Sequence, residues 1–302
     1  MASQPAALDL GHWLRAVRRR HWASRGAAGE PVLTPTQFAA LLAVCQVPGA
    51  DQRTVSVLAS IDQATVSETL RRLQRDGLVR IEPDLADARR LRIWPHEAAV
   101  EVVRTDLIGV READRRLLSV LTDAERDALI DALRTIAYAS SDDPAAWPTT
   151  EVPAEHGLLT VEETSRAFGR LVRICSQQHQ ATWTDVAGTL LTPQQFTLLA
   201  LVAGTREVRQ SEIPAALDLD KASVTGLLHR LARRDLVVAV PSGQDRRQRV
   251  VTLTPLGLEV LKVSRSAAAA VEAAVVKGLD PAARRRLPRH LEHVVRSAAQ
   301  PG

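Results

Sequence analysis

Two short stretches carry residue types that can read a nucleic-acid duplex. The first holds Gln63, Thr65, Ser67, Glu68, Arg71, Arg72 and Arg75; the second holds Lys221, Ser223, Thr225, His229, Arg230 and Arg233. Glutamine pairs with adenine, lysine with guanine, and a glutamate accepts from cytosine N4. Arginine suits phosphate, and Arg71, Arg72, Arg75, Arg230 and Arg233 are the candidates for that contact. Further arginines follow each stretch, Arg89 and Arg90 in one place and Arg246, Arg247 and Arg249 in the other. At the tip of a hairpin such arginines suit a narrow minor groove. The alternative is a solvated face, with Arg72 and Arg230 bracing the fold and Asp87 and Asp245 holding the hairpins.

A second constellation is aromatic and cationic. Tryptophan supplies five of the nine aromatic residues. Trp13, Arg15, His21 and Trp22 lie near the start of the chain; Arg173, His179 and Trp183 lie past its middle. A guanidinium beside indole rings suits an aromatic carboxylate or a phenol. The competing reading is ordinary packing with surface ion pairs.

Both constellations occur twice because the chain itself does. LTPTQF at 33–38 returns as LTPQQF at 191–196, a shift of 158 residues from Thr34 to Thr192. The same shift relates Gly11 to Gly169, Arg15 to Arg173, His21 to His179, Asp62 to Asp220, Leu73 to Leu231 and Asp87 to Asp245. A period this long is a duplicated domain, not a solenoid unit. The divisions expected are a first repeat at 1–139, a linker at 140–157 and a second repeat at 158–302. The linker, SSDDPAAWPTTEVPAEHG, has three prolines and no periodicity.

Each repeat reads as mainly helical. A first helix is expected near 8–25. Thr34-Pro35-Thr36-Gln37 and Thr192-Pro193-Gln194-Gln195 are capping boxes with proline at the first helical position. A short helix near 53–60 and a tight turn precede a helix from about 63 to 76. Asp62 and Asp220 stand where N-caps belong. Val66, Leu70 and Leu73, like Val224, Leu228 and Leu231, point inward and leave the polar residues outward. β-branched runs around a charged tip then predict a two-stranded hairpin. A long helix near 97–119 and a last helix to about 139 complete the repeat.

Composition narrows the function classes. A net charge of +4 permits an acidic partner without demanding one. Lysine occurs only at 221, 262 and 277, so arginine dominates the basic residues. No apolar run is long enough for a membrane span and the start lacks a secretory pattern, so the cytoplasm is expected. Cys45 and Cys175 are not repeat-equivalent, which argues against a disulfide framework or metal site. No phosphate-binding loop, metal spacing or nucleophile motif is found, so neither an enzyme nor a cofactor is expected.

The TPxQF opening, the LxRLxxxxLV segment and the Asp-x-Arg hairpin, in order and twice, resemble the MarR (multiple antibiotic resistance regulator) family over nearly the whole chain. The resemblance implies two tandem winged helix-turn-helix domains. First and last helices would form a dimerisation part, here an intramolecular pseudo-dimer. It implies a double-stranded DNA operator as partner, and a small aromatic effector between the dimerisation and DNA-binding parts. It leaves open whether chains pair further. The expected function is a repressor released by that effector. The alternatives are a redox sensor using Cys175 or an architectural DNA binder. The first repeat departs from the pattern at Trp94-Pro95-His96-Glu97 and Ala99. Glu68 and Gly226 stand where such proteins often carry a basic residue.

Overall fold

A computed structural model describes residues 8–26, 32–84, 87, 90–139, 161–205, 207–241 and 248–298. The expected linker at 140–157 lies outside the described residues, as do Arg89, Arg246 and Arg247.

The first repeat runs α1 (Leu10–Arg25), α2 (Pro35–Gln46), α3 (Gln52–Ala59), α4 (Gln63–Arg75), β1 (Val79–Pro83), β2 (Leu91–Pro95), α5 (Glu97–Leu118) and α6 (Asp123–Ala137). After the short α7 (Val161–Arg166), the second runs α8 (Phe168–Ala187), α9 (Pro193–Thr205), β3 (Val208–Arg209), α10 (Ile213–Leu217), α11 (Lys221–Ala232), β4 (Val237–Pro241), β5 (Arg249–Leu253), α12 (Pro255–Val275) and α13 (Pro281–Ser297).

Local signals set the helix starts. Thr34 and Gln37 close the expected capping box on α2, and Thr192 and Gln195 repeat it on α9. Asp62 accepts from the Thr65 amide at 2.9 Å, and Asp220 from the Ser223 amide at 2.8 Å. Hydrogen bonds from the Thr65 and Ser223 side chains, and then from these amides, hold both carboxyls below the usual range, and the amide bonds satisfy donors that a helix N-terminus leaves open. The departure at His96 has a structural consequence. α5 begins there without a side-chain cap, whereas Thr254 caps α12 through the Gly257 amide. A Cβ at Gly257 would lie 1.9 Å from the Leu236 carbonyl oxygen, so only glycine fits that approach.

Each hairpin is antiparallel, with Ile81 opposite Ile93 and Ala239 opposite Val251. The second gains a third strand the sequence reading missed: Val208 pairs with Val251 and Arg209 with Val250. In the first repeat the same place holds a single bridge, Ala50 to Ile93. Two residues are too few to show an alternating pattern.

Around the first helix-turn-helix, Leu41, Val44, Val55, Leu58, Val66, Leu70, Leu73, Ile93 and Val103 form one buried cluster.

The compact units are not the sequence repeats. One unit runs from Arg19 to Ile174; the other takes the described residues up to Arg18 and from Cys175 onward. The first helix of each repeat is therefore divided, and its leading half belongs to the unit built on the other repeat. Two recurrent glycines show why. A Cβ at Gly169 would lie 2.3 Å from the His21 ring, and one at Gly11 would lie 2.2 Å from the His179 ring. Each glycine admits an imidazole from the other repeat's first helix, inside one unit in each case.

Candidate nucleic-acid interface

α4 is a 13-residue amphipathic helix. Val66, Thr69, Leu70 and Leu73 are buried, while Gln63, Thr65, Glu68, Arg71, Arg72 and Arg75 are exposed and Ser67 is half-buried. α11 repeats the arrangement: Val224, Leu227, Leu228 and Leu231 are buried, and Lys221, Ser223, Thr225, His229, Arg230 and Arg233 are exposed. At about 1.5 Å rise per residue, each helix presents a polar edge that a major groove of about 12 Å can admit.

Some hydroxyls are already engaged. Ser223 Oγ donates to Asp220 at 2.6 Å and Thr225 Oγ1 to the Lys221 carbonyl at 2.8 Å. Arg71 Nη2 lies 3.4 Å from Ser67 Oγ. The side chains placed at the N-terminal edge with long reach are therefore Gln63 in one helix and Lys221 in the other.

In the first hairpin, Arg90 is exposed and 3.6 Å from Asp87. The firmer anchor is one the sequence reading did not single out. Arg92 binds Asp84 through Nε and the Gly49 carbonyl through Nη1 at 3.2 Å. Arg80, exposed on β1, lies over the Trp94 ring at 5.6 Å. In the second hairpin Arg249 is exposed and donates to the Ala239 carbonyl at 2.7 Å.

The aromatic and cationic set divides between the two units. In the unit with Cys175, Trp13 and Trp183 are buried. Trp183 Nε1 donates to the Leu191 carbonyl at 2.7 Å, and its ring packs on His179 and Phe196. Arg15 is buried, donates to Thr197 Oγ1 at 3.2 Å and lies 3.7 Å from Asp9. Burial, reinforced by Arg15 and opposed by Asp9, pushes His179 down to about 4, so its imidazole is neutral.

In the unit from Arg19 to Ile174, His21 Nε2 lies 2.8 Å from Asp114 Oδ1. Trp22 is exposed, with the Arg25 guanidinium 4.9 Å from its ring. Arg173 donates to the carbonyls of Ser60, at 2.9 Å, and Ala59.

An asymmetry went unread in the sequence. Arg25 and Asp106 form a buried ion pair at 3.0 Å, and Asp106 also accepts from the Val32 and Leu33 amides. The equivalent positions hold Trp183 and Ser264. Charge is lost from both partners together, and that paired break in the 158-residue period was the available signal.

Both thiols are buried. Burial pushes Cys45 up to about 12 and Cys175 upward as well. A sensor thiol needs the opposite, a lowered value and access. Among the described residues no cluster of potential ligands could hold a metal ion, and no helix is long and apolar enough to cross a membrane.

The sequence model of the MarR family matches the chain at two places, residues 33–90 and 191–248. The chain is 30% identical over 123 residues to Transcriptional regulator HosA of Escherichia coli O157:H7, covering 41% of this chain and 90% of that protein. Among solved structures it is similar to BpsR of Bordetella bronchiseptica, whose DNA binding is regulated by 6-hydroxynicotinic acid. The identity is 30%, with 39% of this chain and 89% of that one covered and a TM-score of 0.36. It is also similar to the PcaV transcriptional regulator of Streptomyces coelicolor, solved with its natural ligand. There the identity is 29%, the coverage 46% and 99%, and the TM-score 0.42.

Proposed function

Because this chain belongs to the MarR family and is a transcriptional regulator of that type, we propose that it acts as a single-chain pseudo-dimer on an operator with two unlike half-sites. One observation carries the reading: two Asp-capped recognition helices expose the same scaffold with different side chains. Gln63 stands opposite Lys221 in the repeat, and Glu68 opposite Gly226. A homodimer presents identical reading edges and favours a palindrome; a fused chain is free of that constraint. Gln63 and Glu68 read one half-site and Lys221 the other, Arg71, Arg72, Arg75, Arg230 and Arg233 hold phosphates, and the hairpin arginines, including Arg89, Arg246 and Arg247, sit at the minor groove. The exchange of first-helix halves between the compact units supports the pseudo-dimer.

The test is footprinting and affinity measurement on the natural site beside both symmetrised versions. The natural site binds tightest if the half-sites differ. Equal affinity for all three sinks the idea.

The regulator is a repressor released by a small aromatic acid. Support comes from a buried cation next to rings: Arg15 acts on His179, whose ring stacks on Trp183, and Trp13 is buried two residues before Arg15; Arg173, His21 and Trp22 share the other unit. A ligand carboxylate would compete with Asp9 for Arg15. Calorimetry with benzoate and hydroxybenzoates, on wild type, Arg15→Ala and Arg173→Ala, decides it. Absence of heat, or binding unchanged in both variants, refutes the assignment. Burial of both thiols favours this reading over a redox sensor. The divergent reading edges favour it over an architectural binder.

A further inference from the structure

The turn of the first helix-turn-helix is gripped by two arginines that the DNA reading does not use. α3 ends at Ala59, Ser60 adopts a left-handed backbone with φ 50°, and α4 starts at Gln63. Only Ser60, Ile61 and Asp62 separate the two helices. The last carbonyls of any helix lack intrahelical donors, and they lie at the negative end of its dipole.

α8 supplies the missing donors. Arg173 Nη1 donates to the Ser60 carbonyl at 2.9 Å, and Nη2 donates to the Ala59 carbonyl. Arg170 Nη2 donates to Ser60 Oγ at 2.9 Å. Residues 170 and 173 are i, i+3 on one helical face. Both arginines lie in the leading half of α8, in the same compact unit as the turn. Tyr138, at the end of α6, bonds Arg170 as well. Two further bonds tie the turn from within, Ser56 Oγ to the Ile61 carbonyl at 2.6 Å and Gln52 Nε2 to the Gln63 carbonyl at 3.0 Å.

A guanidinium is a rigid planar fork, so a two-carbonyl grip fixes direction as well as distance. Fixing the last carbonyls of α3 fixes where the chain leaves it, and three residues later α4 begins. We infer that Arg170 and Arg173 are positioning residues for the first recognition helix, setting the angle at which α4 meets its half-site without touching DNA. The inference rests on the DNA reading proposed above.

The experiment uses the full chain as wild type, Arg173→Ala, Arg173→Lys and Ser60→Ala. The last removes one hydroxyl and keeps the proposal testable if an arginine variant folds poorly. Amide hydrogen exchange is followed at residues 59–66, with 217–224 as the internal control. Affinity is measured for the duplex that the wild type selects from a random pool, with hydroxyl-radical footprints. Exchange at 59–66 should rise about tenfold in Arg173→Ala, a local opening that leaves 217–224 unchanged. Ser60→Ala should show a smaller rise, and Arg173→Lys an intermediate one because an ammonium lacks the fork. Protection should weaken over one half-site only.

Unchanged exchange at 59–66 beside normal wild-type selection overturns the clamp. So does acceleration spread evenly over the whole unit, which would mark general loosening, or faster exchange with full affinity. If the wild type selects no duplex, the DNA reading itself fails.

Discussion

Replacing Asp106 by serine, its repeat equivalent at 264, tests what a buried charge does for the first lobe. The Asp106 side chain is 2% exposed and that of Arg25 is 4% exposed. Asp106 accepts from Arg25 at 3.0 Å, from the Val32 amide at 2.9 Å and from the Leu33 amide at 3.1 Å. Burial already draws the Arg25 guanidinium below its usual value, and Asp106 works against that pull. Breaking such a pair by removing one partner costs about 3–5 kcal/mol, because the remaining charge stays buried without compensation. Asp106→Ser should therefore destabilise by about 4 kcal/mol.

The repeat supplies the rescue. Arg25→Trp installs the residue found at 183, whose indole N–H donates to the Leu191 carbonyl at 2.7 Å; the equivalent acceptor here is Leu33. Removing both charges together is far less costly than removing one, so the double variant should recover about 2 kcal/mol. Urea unfolding followed by far-UV circular dichroism, run on all four members of the cycle, measures this, with unchanged m required for comparison. A cost below about 1 kcal/mol for Asp106→Ser refutes the reasoning, as does a double variant no more stable than that single one.

His179 is held neutral, with a folded pKa of about 4 against 6.5 for the ordinary imidazole. The unfolded chain thus binds more protons, and stability is lost as pH falls from about 6.5 toward 4, by up to about 3 kcal/mol. Glu272, raised by burial and by Asp9, works in the opposite sense. The difference between wild type and His179→Gln across that window isolates the imidazole; parallel curves would count against it. Gly169→Ala should destabilise by about 1–3 kcal/mol through overpacking on the His21 ring, and pairing it with His21→Ala should restore part of the loss in a thermal melt. Neither Cys45 nor Cys175 should react with iodoacetamide in the folded protein, and operator binding should survive peroxide. Arg71→Ala and Arg75→Ala should each weaken operator binding and lower the salt slope by about one; an unchanged slope removes that residue from the phosphate contacts.

Much of the scaffold was legible because its signals are local. A Thr-x-x-Gln box is complete within four residues, and the apolar spacing of Val66, Leu70 and Leu73 spans barely two turns. In the first repeat the helix bounds observed fall within about two residues of those expected. β3 escaped because two residues make no pattern. The exposed edges of α4 and α11 were equally legible, since outward residues follow once the inward ones are known.

The sequence alone determined the duplication, the two Asp-capped amphipathic helices α4 and α11 and the places where the repeats diverge. It could not decide partners. Arg15 and Arg173 are repeat equivalents, yet one reaches Thr197 and Asp9 while the other holds Ala59 and Ser60. The contacts with Thr197, Ala59 and Ser60 span more than a hundred residues, and a guanidinium carries no record of which oxygen it will meet. Periodicity and capping act over a few residues. Partners of arginines on divided first helices are set only when distant segments pack into one unit, and that decision belonged to the tertiary structure.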